Sequence, residues 1–379
     1  MDKKSSDMNI IYSAKTTFKA LEQQVTRCQN SHSAKSLMIL CCDANNYVSS
    51  DISRLLRGLS IPVFGGIFPG VIFNNHRYEK GFLIAELPWA IHVGIIKNIS
   101  SPDTNLDEEF EHILPDFLSV KTIFTFIDGF ATRINSLIEA LFATFGLQYN
   151  YMGGGAGSLS LIQKPCLLTN EGLLQDAAVI VGIVAPSGIG VRHGWKYISG
   201  PYKATSVDGN KILQIDYKPA FEMYKRIVEH HTDQSLGIDN FFEIAKAFPF
   251  GINKLDTEEI VRDPLQVDKN GTITCVGEIE QGCYINVLSG QQKNLIDAAG
   301  EAVNEAFKDI SIPPKNFVFF VDCISRVLFL DKNFSLELSN VYNQAGNLPV
   351  IGALTIGEIA NNRKEYLEFY NKTSVIGCL

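Results

Sequence analysis

Hydrophobic positions along the chain fall into two kinds of segment, short apolar runs and longer segments with helical spacing. The short runs are too brief and too rich in β-branched and aromatic residues for buried helices, so they predict strands. They include LMILCC (37–42), TIFTFI (122–127), CYINVL (283–288) and FVFFV (317–321). Between them, apolar residues recur at i, i+3, i+4 and i+7, as from Ile134 to Phe145, which predicts amphipathic helices.

The strands and helices recur in the same order three times. A β-α-β-α-β-turn-β unit spans about residues 8–87, 90–185 and 283–379, and the third copy opens with the CYINVL strand. Residues 186–282 interrupt the copies with short strand-like runs and one strong helix, Pro219 to Glu229. This alternation predicts an α/β fold of three related units with mostly parallel strands, plus a mixed α/β insert.

Each unit carries a glycine block just past its third strand. The blocks align without gaps, so that Gly65, Gly153 and Gly352 coincide: VFGGIFPG (63–70), YMGGGAGS (151–158) and VIGALTIG (350–357). A phosphate loop is excluded for YMGGGAGS, because Leu159 follows where a lysine is needed. Glycine lets a backbone approach a ligand or another backbone closely, and open α/β sheets bind ligands at strand ends. Two interpretations stay open: a bend that the fold requires, or three corners gathered around a shared hollow that binds a ligand.

Composition narrows the class of protein. The chain has 379 residues, of which 46% are hydrophobic, and a net charge of −8 without a dense Lys/Arg run. A nucleic-acid binder normally presents a basic face, so we expect no nucleic-acid partner. The N-terminus has no apolar run long enough for a signal peptide, and no stretch of about 18 apolar residues predicts a membrane span. We therefore expect a cytoplasmic protein without a membrane partner, whose eight cysteines are reduced.

Three segments in the second half of the chain resemble the C-terminal part of the FIST domain family. They are HGWKYISGPYKATSVDGNKILQIDYKPAFEMY (193–224), RDPLQVDKNGTITCVGEIEQG (262–282) and GALTIGEI (352–359). The first two glycine blocks stand where the N-terminal motifs of that family fall. The resemblance covers about residues 10–379, and it implies an intracellular sensory domain of bacterial signal transduction.

The resemblance carries further implications for function. It implies a FIST N-like region at 8–185, a FIST C-like region at 186–379, and a small-molecule ligand. Stand-alone FIST proteins include haem-binding nitric-oxide sensors that regulate a histidine kinase, so haem b is one candidate cofactor. The implied partner is a histidine kinase or a cyclic-di-nucleotide enzyme. Phe68 and Pro69 stand where the family has small polar residues, and Ser158 where it often has an acid, which favours a more apolar ligand.

Alternatives to haem stay open at this point. The ligand could be a small polar metabolite such as an amino acid, or the protein could be an enzyme acting on a small metabolite. No GxSxG or HExxH motif is present, so no catalytic residue is assigned. A homodimer also stays open.

Candidate ligand-binding residues come from the glycine blocks and the FIST-like motifs. They are Gly65, Gly66, Gly153, Gly154, Gly155, Ser158, His193, Trp195, Arg262, Gly352, Thr355 and Glu358. Haem needs an axial donor, for which His193, His230 and His231 are the candidates. Structural alternatives are a loop hydrogen bond for His193, the helix dipole for His230 and His231, and an internal ion pair for Arg262.

Overall fold

The described residues form four sheets, three from the repeated units and one from an insert. The computed structural model describes residues 8–253, 259–310, 314–361 and 366–379. Within those ranges, no helix is both long enough and apolar enough to cross a bilayer.

The first two units have matching elements. Unit 1 contains β1 (Ile10–Ser13), α1 (Phe18–Gln29), β2 (Ser36–Cys42), α2 (Ser49–Arg57), β3 (Val63–Phe68), β4 (Gly70–Phe73), β5 (His76–Tyr78) and β6 (Phe82–Leu87). Unit 2 contains β7 (Ile91–Lys97), α3 (Leu106–Phe117), β8 (Thr122–Asp128), α4 (Ile134–Phe145), β9 (Asn150–Ala156), β10 (Leu167–Thr169), β11 (Gly172–Leu174) and β12 (Ala177–Ile183).

Unit 3 is divided in sequence by the insert. It begins with β13 (Gly188–Arg192). The insert then contributes β14 (Lys196–Asp208), β15 (Lys211–Ile215), β16 (Lys218–Pro219), α5 (Ala220–His231), α6 (Phe241–Ala245), β17 (Phe250–Ile252), β18 (Ile260–Val267), β19 (Ile273–Val276) and β20 (Tyr284–Ser289). Unit 3 resumes with α7 (Gln292–Asp309), β21 (Val318–Cys323), α8 (Ile324–Leu330), α9 (Phe334–Gln344), β22 (Val350–Thr355), β23 (Glu358–Ala360), β24 (Glu368–Tyr370) and β25 (Ser374–Cys378).

The strands of each unit pair in one common order. In unit 1, β1 and β2 both pair antiparallel with β6, and β3 pairs in parallel with β2. Units 2 and 3 repeat this arrangement. The predicted α/β class is confirmed, but the pairings differ from the expected mostly parallel sheet. The reason is that the last strand returns from the glycine turn and lies between the first and second strands, so only one parallel pair is adjacent in each unit's described strands.

Each unit also extends a two-stranded hairpin onto the sheet of a neighbouring unit. The β4–β5 hairpin pairs with β22 of unit 3, β10–β11 pairs with β3 of unit 1, and β23–β24 pairs with β9 of unit 2. The exchange is cyclic, so the three units close into a ring. As a result β3, β9 and β22, which carry the glycine blocks, contact one another at its centre.

Aromatic side chains fill the centre of this ring. The ring centroids of Phe64 and Phe124 are 5.6 Å apart, and those of Phe124 and Phe319 are 5.3 Å apart, so one aromatic cluster joins all three units. Phe126 and Phe68 extend the cluster. The shared hollow expected at the glycine strands is therefore a packed core.

The three aligned glycines have a common packing role. At each, an added Cβ would collide with a backbone oxygen of the neighbouring parallel strand. The added Cβ would lie 1.8 Å from Ile39 O at Gly65, 1.9 Å from Thr125 O at Gly153, and 1.7 Å from Phe320 O at Gly352. Any side chain here would push the two strands apart, so the fold itself requires the repeated glycine.

The start of the third unit differs from the sequence-based expectation. The CYINVL segment forms β20, which pairs with β14 and β17 inside the insert. The first strand of unit 3 is β13 instead, paired with β25. Its apolar pattern is weak because Gly188 and Gly190 let α7 lie directly on it, where an added Cβ would come within 1.9 Å of a helix carbonyl oxygen.

Candidate functional site

A cavity of about 580 Å³ lies where units 2 and 3 meet the insert, and we call it the seam cavity. It is at the carboxyl ends of β8 and β21, the edge at which α/β sheets commonly bind ligands. Most of the side chains that line it are apolar: Phe130, Ala131, Ile134, Leu159, Leu161, Phe242, Leu265, Val276, Ile324, Leu328, Ile356 and Phe369.

The exchanged hairpins shape the wall of the seam cavity. The turn that leads into the β23–β24 hairpin carries Ile356 and Gly357 onto the end of β8. Gly155 and this turn exchange two hydrogen bonds, from Gly155 N to Gly357 O and from Ile356 N to Gly155 O, each 2.9 Å long. A Cβ at Gly155 would lie 2.1 Å from Ile356 O, so this glycine is needed for the docking.

The polar side chains of the seam cavity are few. Of its described lining residues, only Glu278 carries a formal charge. Thr132, Asn135, Asn210 and Ser325 add neutral polar groups. A largely apolar cavity with a few polar groups is typical of small-molecule sites.

A second cavity of about 600 Å³ adjoins the first. Asn135, Glu278 and Phe369 line both cavities. The second cavity is also lined by Arg262, which is 3% exposed. Glu278 therefore stands at the junction of the two cavities.

A buried group of charged side chains lies directly behind the seam cavity. Arg326, fully buried in α8, pairs with Asp322 (Nε to Oδ1, 3.0 Å) and with Glu337 (Nη2 to Oε2, 2.5 Å). It also donates to the carbonyl oxygens of His193 (2.6 Å) and Leu295 (3.0 Å). The neighbours of Asp322 and Arg326 in sequence, Cys323 and Ser325, line the cavity wall, so the ion pairs hold that wall in place.

A second buried ion pair joins unit 3 to the insert. Lys372 Nζ lies 3.1 Å from Asp263 Oδ1 and donates to the carbonyl oxygen of Lys246 at 3.0 Å. It also lies 4.9 Å from the ring centroid of Trp195, close enough for a cation–π contact. Lys372 therefore fixes the insert against unit 3 beside the seam cavity.

Glu358 adds a further carboxyl group to this buried region. It accepts hydrogen bonds from Thr355 Oγ1 (2.9 Å) and Thr373 N (3.3 Å). Burial raises the pKa of Glu358 to about 8, although the Thr355 hydrogen bond lowers it. Burial and the nearby Glu337 likewise raise the pKa of Asp322. Repulsion by Glu337 thus adds to the effect of burial on Asp322, whereas burial is the main cause for Glu358.

The pH dependence of the protein's thermal stability should reflect the protonation of Glu358. Because the folded-state pKa of Glu358 lies above its ordinary value of 4.5, the folded state binds the proton more tightly than the unfolded state. The stability that Glu358 contributes is fully present below about pH 4.5 and is lost as the pH rises to about 8. Glu358→Gln should flatten the decrease in Tm over this window, measured by thermal denaturation. Equal slopes in the two proteins would contradict this assignment.

The remaining predicted glycines and Ser158 lie at contacts between units. A Cβ at Gly66 would lie 3.2 Å from Ala156 Cβ in unit 2, and one at Gly154 would lie 2.6 Å from Gly357 O in unit 3. Ser158 Oγ donates to Asp43 Oδ2 at 2.5 Å, beside a small cavity of about 150 Å³. These contacts give each residue a structural role, and ligand binding by them stays a prediction.

The FIST-like motif residues His193, Trp195 and Arg262 gather around the buried charges, and none of them lines the seam cavity. His193 Nδ1 accepts a hydrogen bond from Trp195 N (2.9 Å), and Trp195 Nε1 donates to Lys372 O (3.0 Å). Arg262 donates to the carbonyl oxygens of Glu278 (2.9 Å) and Phe369 (3.0 Å). Asp263, the neighbour expected to form an ion pair with Arg262, pairs with Lys372 instead.

The three candidate haem ligands lie apart from the seam cavity. His193 is buried behind the wall, and His230 and His231 end α5, with ring centroids 5.3 Å apart. His231 Nδ1 lies 2.9 Å from Ile227 O. None of the three lines the seam cavity or the cavity that adjoins it. The described residues also contain no group of three or more His, Cys, Asp or Glu side chains that could hold a metal ion.

The sequence analysis missed the residues that line the seam cavity. The sequence feature that could have revealed them is the apolar segment after the second glycine block. Its Leu159, Leu161 and Ile162 side chains are between 50% and 68% exposed in the structure. Large apolar side chains in a surface loop often mark a ligand or partner site.

Comparison with known protein families finds two matches along the chain. The FIST N domain matches residues 14–218, and the FIST C domain matches residues 220–361. The junction between the matches lies inside the insert, at the start of α5. No curated protein matches the chain.

Proposed function

Because the chain belongs to the FIST domain family, whose members are generally small-ligand sensors in signal transduction, we propose that it senses a small molecule bound in the seam cavity. The observation that carries this proposal is the cavity itself. It lies at the carboxyl ends of β8 and β21, is largely apolar, and takes its walls from unit 2, unit 3 and the insert.

The two chain connections of the insert suggest how ligand binding could change the conformation of the protein. The chain enters the insert between β13 and β14 and leaves it between β20 and α7. A ligand that touches both sides of the seam favours one position of the insert over others, because only differential affinity shifts such an equilibrium. Hinged closure around a ligand is a common form of this switch.

The partner and location follow from the family rather than from the cavity. We propose that the signal passes to a histidine kinase or a cyclic-di-nucleotide enzyme in the cytoplasm. Co-purification of such an enzyme, dependent on the bound state of the sensor, is the corresponding test.

Several kinds of molecule are candidates for the ligand. Haem-dependent nitric-oxide sensing was implied by the resemblance, but His193, His230 and His231 do not line the seam cavity, and none of its described lining residues is a histidine. An apolar organic molecule fits the lining better. A visible spectrum after haem addition separates the two, since a sharp Soret band that moves with nitric oxide supports haem. Turnover of a small metabolite would instead support the enzyme alternative.

Blocking the cavity tests the proposed site directly. Leu328 lies in α8, lines the cavity and is 42% exposed, so Leu328→Trp should fold while filling the space. With the neutral dye Nile red as a probe, we expect its affinity to fall about tenfold or more, measured by fluorescence titration.

A matched variant controls for nonspecific effects of a new tryptophan. Leu336 in α9 is 55% exposed and lines neither large cavity, so Leu336→Trp should bind the dye as the unmodified protein does. Unchanged dye binding in Leu328→Trp would refute the seam cavity as the site.

A further inference from the structure

The lining of the seam cavity also restricts the charge of its ligand. Twelve apolar side chains surround it, and Glu278 is the single charged group among the described lining residues. Glu278 is half-buried among these apolar side chains, so its carboxylate is the natural partner for a cationic group that enters the cavity. We propose that the ligand is an apolar amine, bound with its ammonium group at Glu278 and its apolar body between the aromatic side chains. This inference rests on the proposed function.

The position of Glu278 is fixed by its neighbours. Arg262 Nε donates to the carbonyl oxygen of Glu278 (2.9 Å), and Arg262 Nη1 donates to that of Phe369 (3.0 Å). Gly277 before it has a φ of +79°, and a Cβ there would lie 3.0 Å from the Arg262 side chain. Arg262 therefore acts as a positioning residue for the Glu278 main chain, and its own hydrogen bonds go to oxygens other than the Glu278 carboxylate.

The surroundings of Glu278 favour a cation over an anion. Phe369 lines the same junction, and its aromatic face can add a cation–π contact to an ammonium group. The described residues that line the adjoining cavity include one cation, Arg262, and four carboxyl groups, and the whole chain has a net charge of −8. The four are Glu139, Glu278, Glu280 and Glu368. The resulting negative electrostatic potential repels an anionic ligand and attracts a cation.

A set of four aromatic probes tests the charge preference. The probes are 2-phenylethylamine, 2-phenylethanol, 3-phenylpropanoate and phenylalanine, and binding is measured by isothermal titration calorimetry. We expect the amine to bind about tenfold or more tightly than the neutral alcohol, since a charge-assisted hydrogen bond is stronger than a neutral one. Phenylalanine and the propanoate should bind more weakly than the amine, because each adds a carboxylate.

Two variants make the assignment specific to Glu278. Glu278→Gln keeps the shape of the side chain and should remove the tenfold preference for the amine while leaving 2-phenylethanol binding unchanged. Glu280→Gln, which alters a carboxyl group lining only the adjoining cavity, should keep most of the preference. Equal binding of the amine and the alcohol, or an unchanged preference in Glu278→Gln, overturns the amine proposal.

The same probes separate this proposal from the proposed function. If the alcohol binds and Leu328→Trp abolishes that binding, the seam cavity stands as a ligand site even when the charge preference is absent. If Leu328→Trp leaves the binding of every probe unchanged, the cavity assignment fails, and the amine proposal fails with it.

Discussion

Replacing Arg326 with methionine should destabilise the protein by about 3–5 kcal/mol. Arg326 is among the largest fully buried side chains, and it pairs with Asp322 at 3.0 Å and Glu337 at 2.5 Å. Methionine fills similar space but leaves those carboxyl groups without their cation. The free energy of unfolding, from urea denaturation at neutral pH, measures the loss.

An exposed ion pair provides the control for this substitution. Arg54 pairs with Asp51 at 2.8 Å, but its side chain is 73% exposed. Arg54→Met should therefore cost less than about 1 kcal/mol. Similar losses in the Arg54 and Arg326 variants would contradict the view that the buried charges support the wall of the seam cavity.

Gly352→Ala should destabilise the protein by about 3 kcal/mol or more. The added Cβ would lie 1.7 Å from Phe320 O and 2.6 Å from its carbonyl carbon, so β21 and β22 would have to separate at the centre of the ring. Thermal and urea denaturation should both register the change. Loss of soluble expression would agree with it.

Gly58→Ala is the corresponding control. Gly58 ends α2 with a φ of −82°, and an added Cβ there would meet backbone oxygens only at 3.4 Å and 3.5 Å. We expect a change in stability of less than about 1 kcal/mol, because these are near-ordinary van der Waals contacts. If Gly352→Ala were equally mild, the close approach of the strands would not explain the repeated glycines.

Much of the fold could be predicted from hydrophobic periodicity. The strong apolar runs became β2, β8 and β21, and the last strands of the units became β6, β12 and β25. The exchanged hairpins were missed because strands such as β10 and β11 have only three residues, too few for a period to show. The first strand of unit 3 was missed because its glycines replace the apolar side chains that normally reveal a strand.

The site was less predictable than the fold. Motif residues such as His193 and Glu358 could be found from the resemblance, but they are buried behind the wall of the seam cavity and do not line it. The wall itself combines Phe130, Leu328 and Glu278 from three distant parts of the chain. Only the ring closure by exchanged hairpins and the folding of the insert bring them together, and neither leaves a local pattern in the sequence.

Amide hydrogen exchange with and without saturating 2-phenylethylamine tests the central claim most directly. If the ligand occupies the seam cavity, protection should rise together in residues 129–135 of unit 2, 323–328 of unit 3 and 275–278 of the insert, which line its three sides. Protection confined to α5 around His230 and His231, or to residues 42–49 beside the small cavity at Ser158, would contradict it.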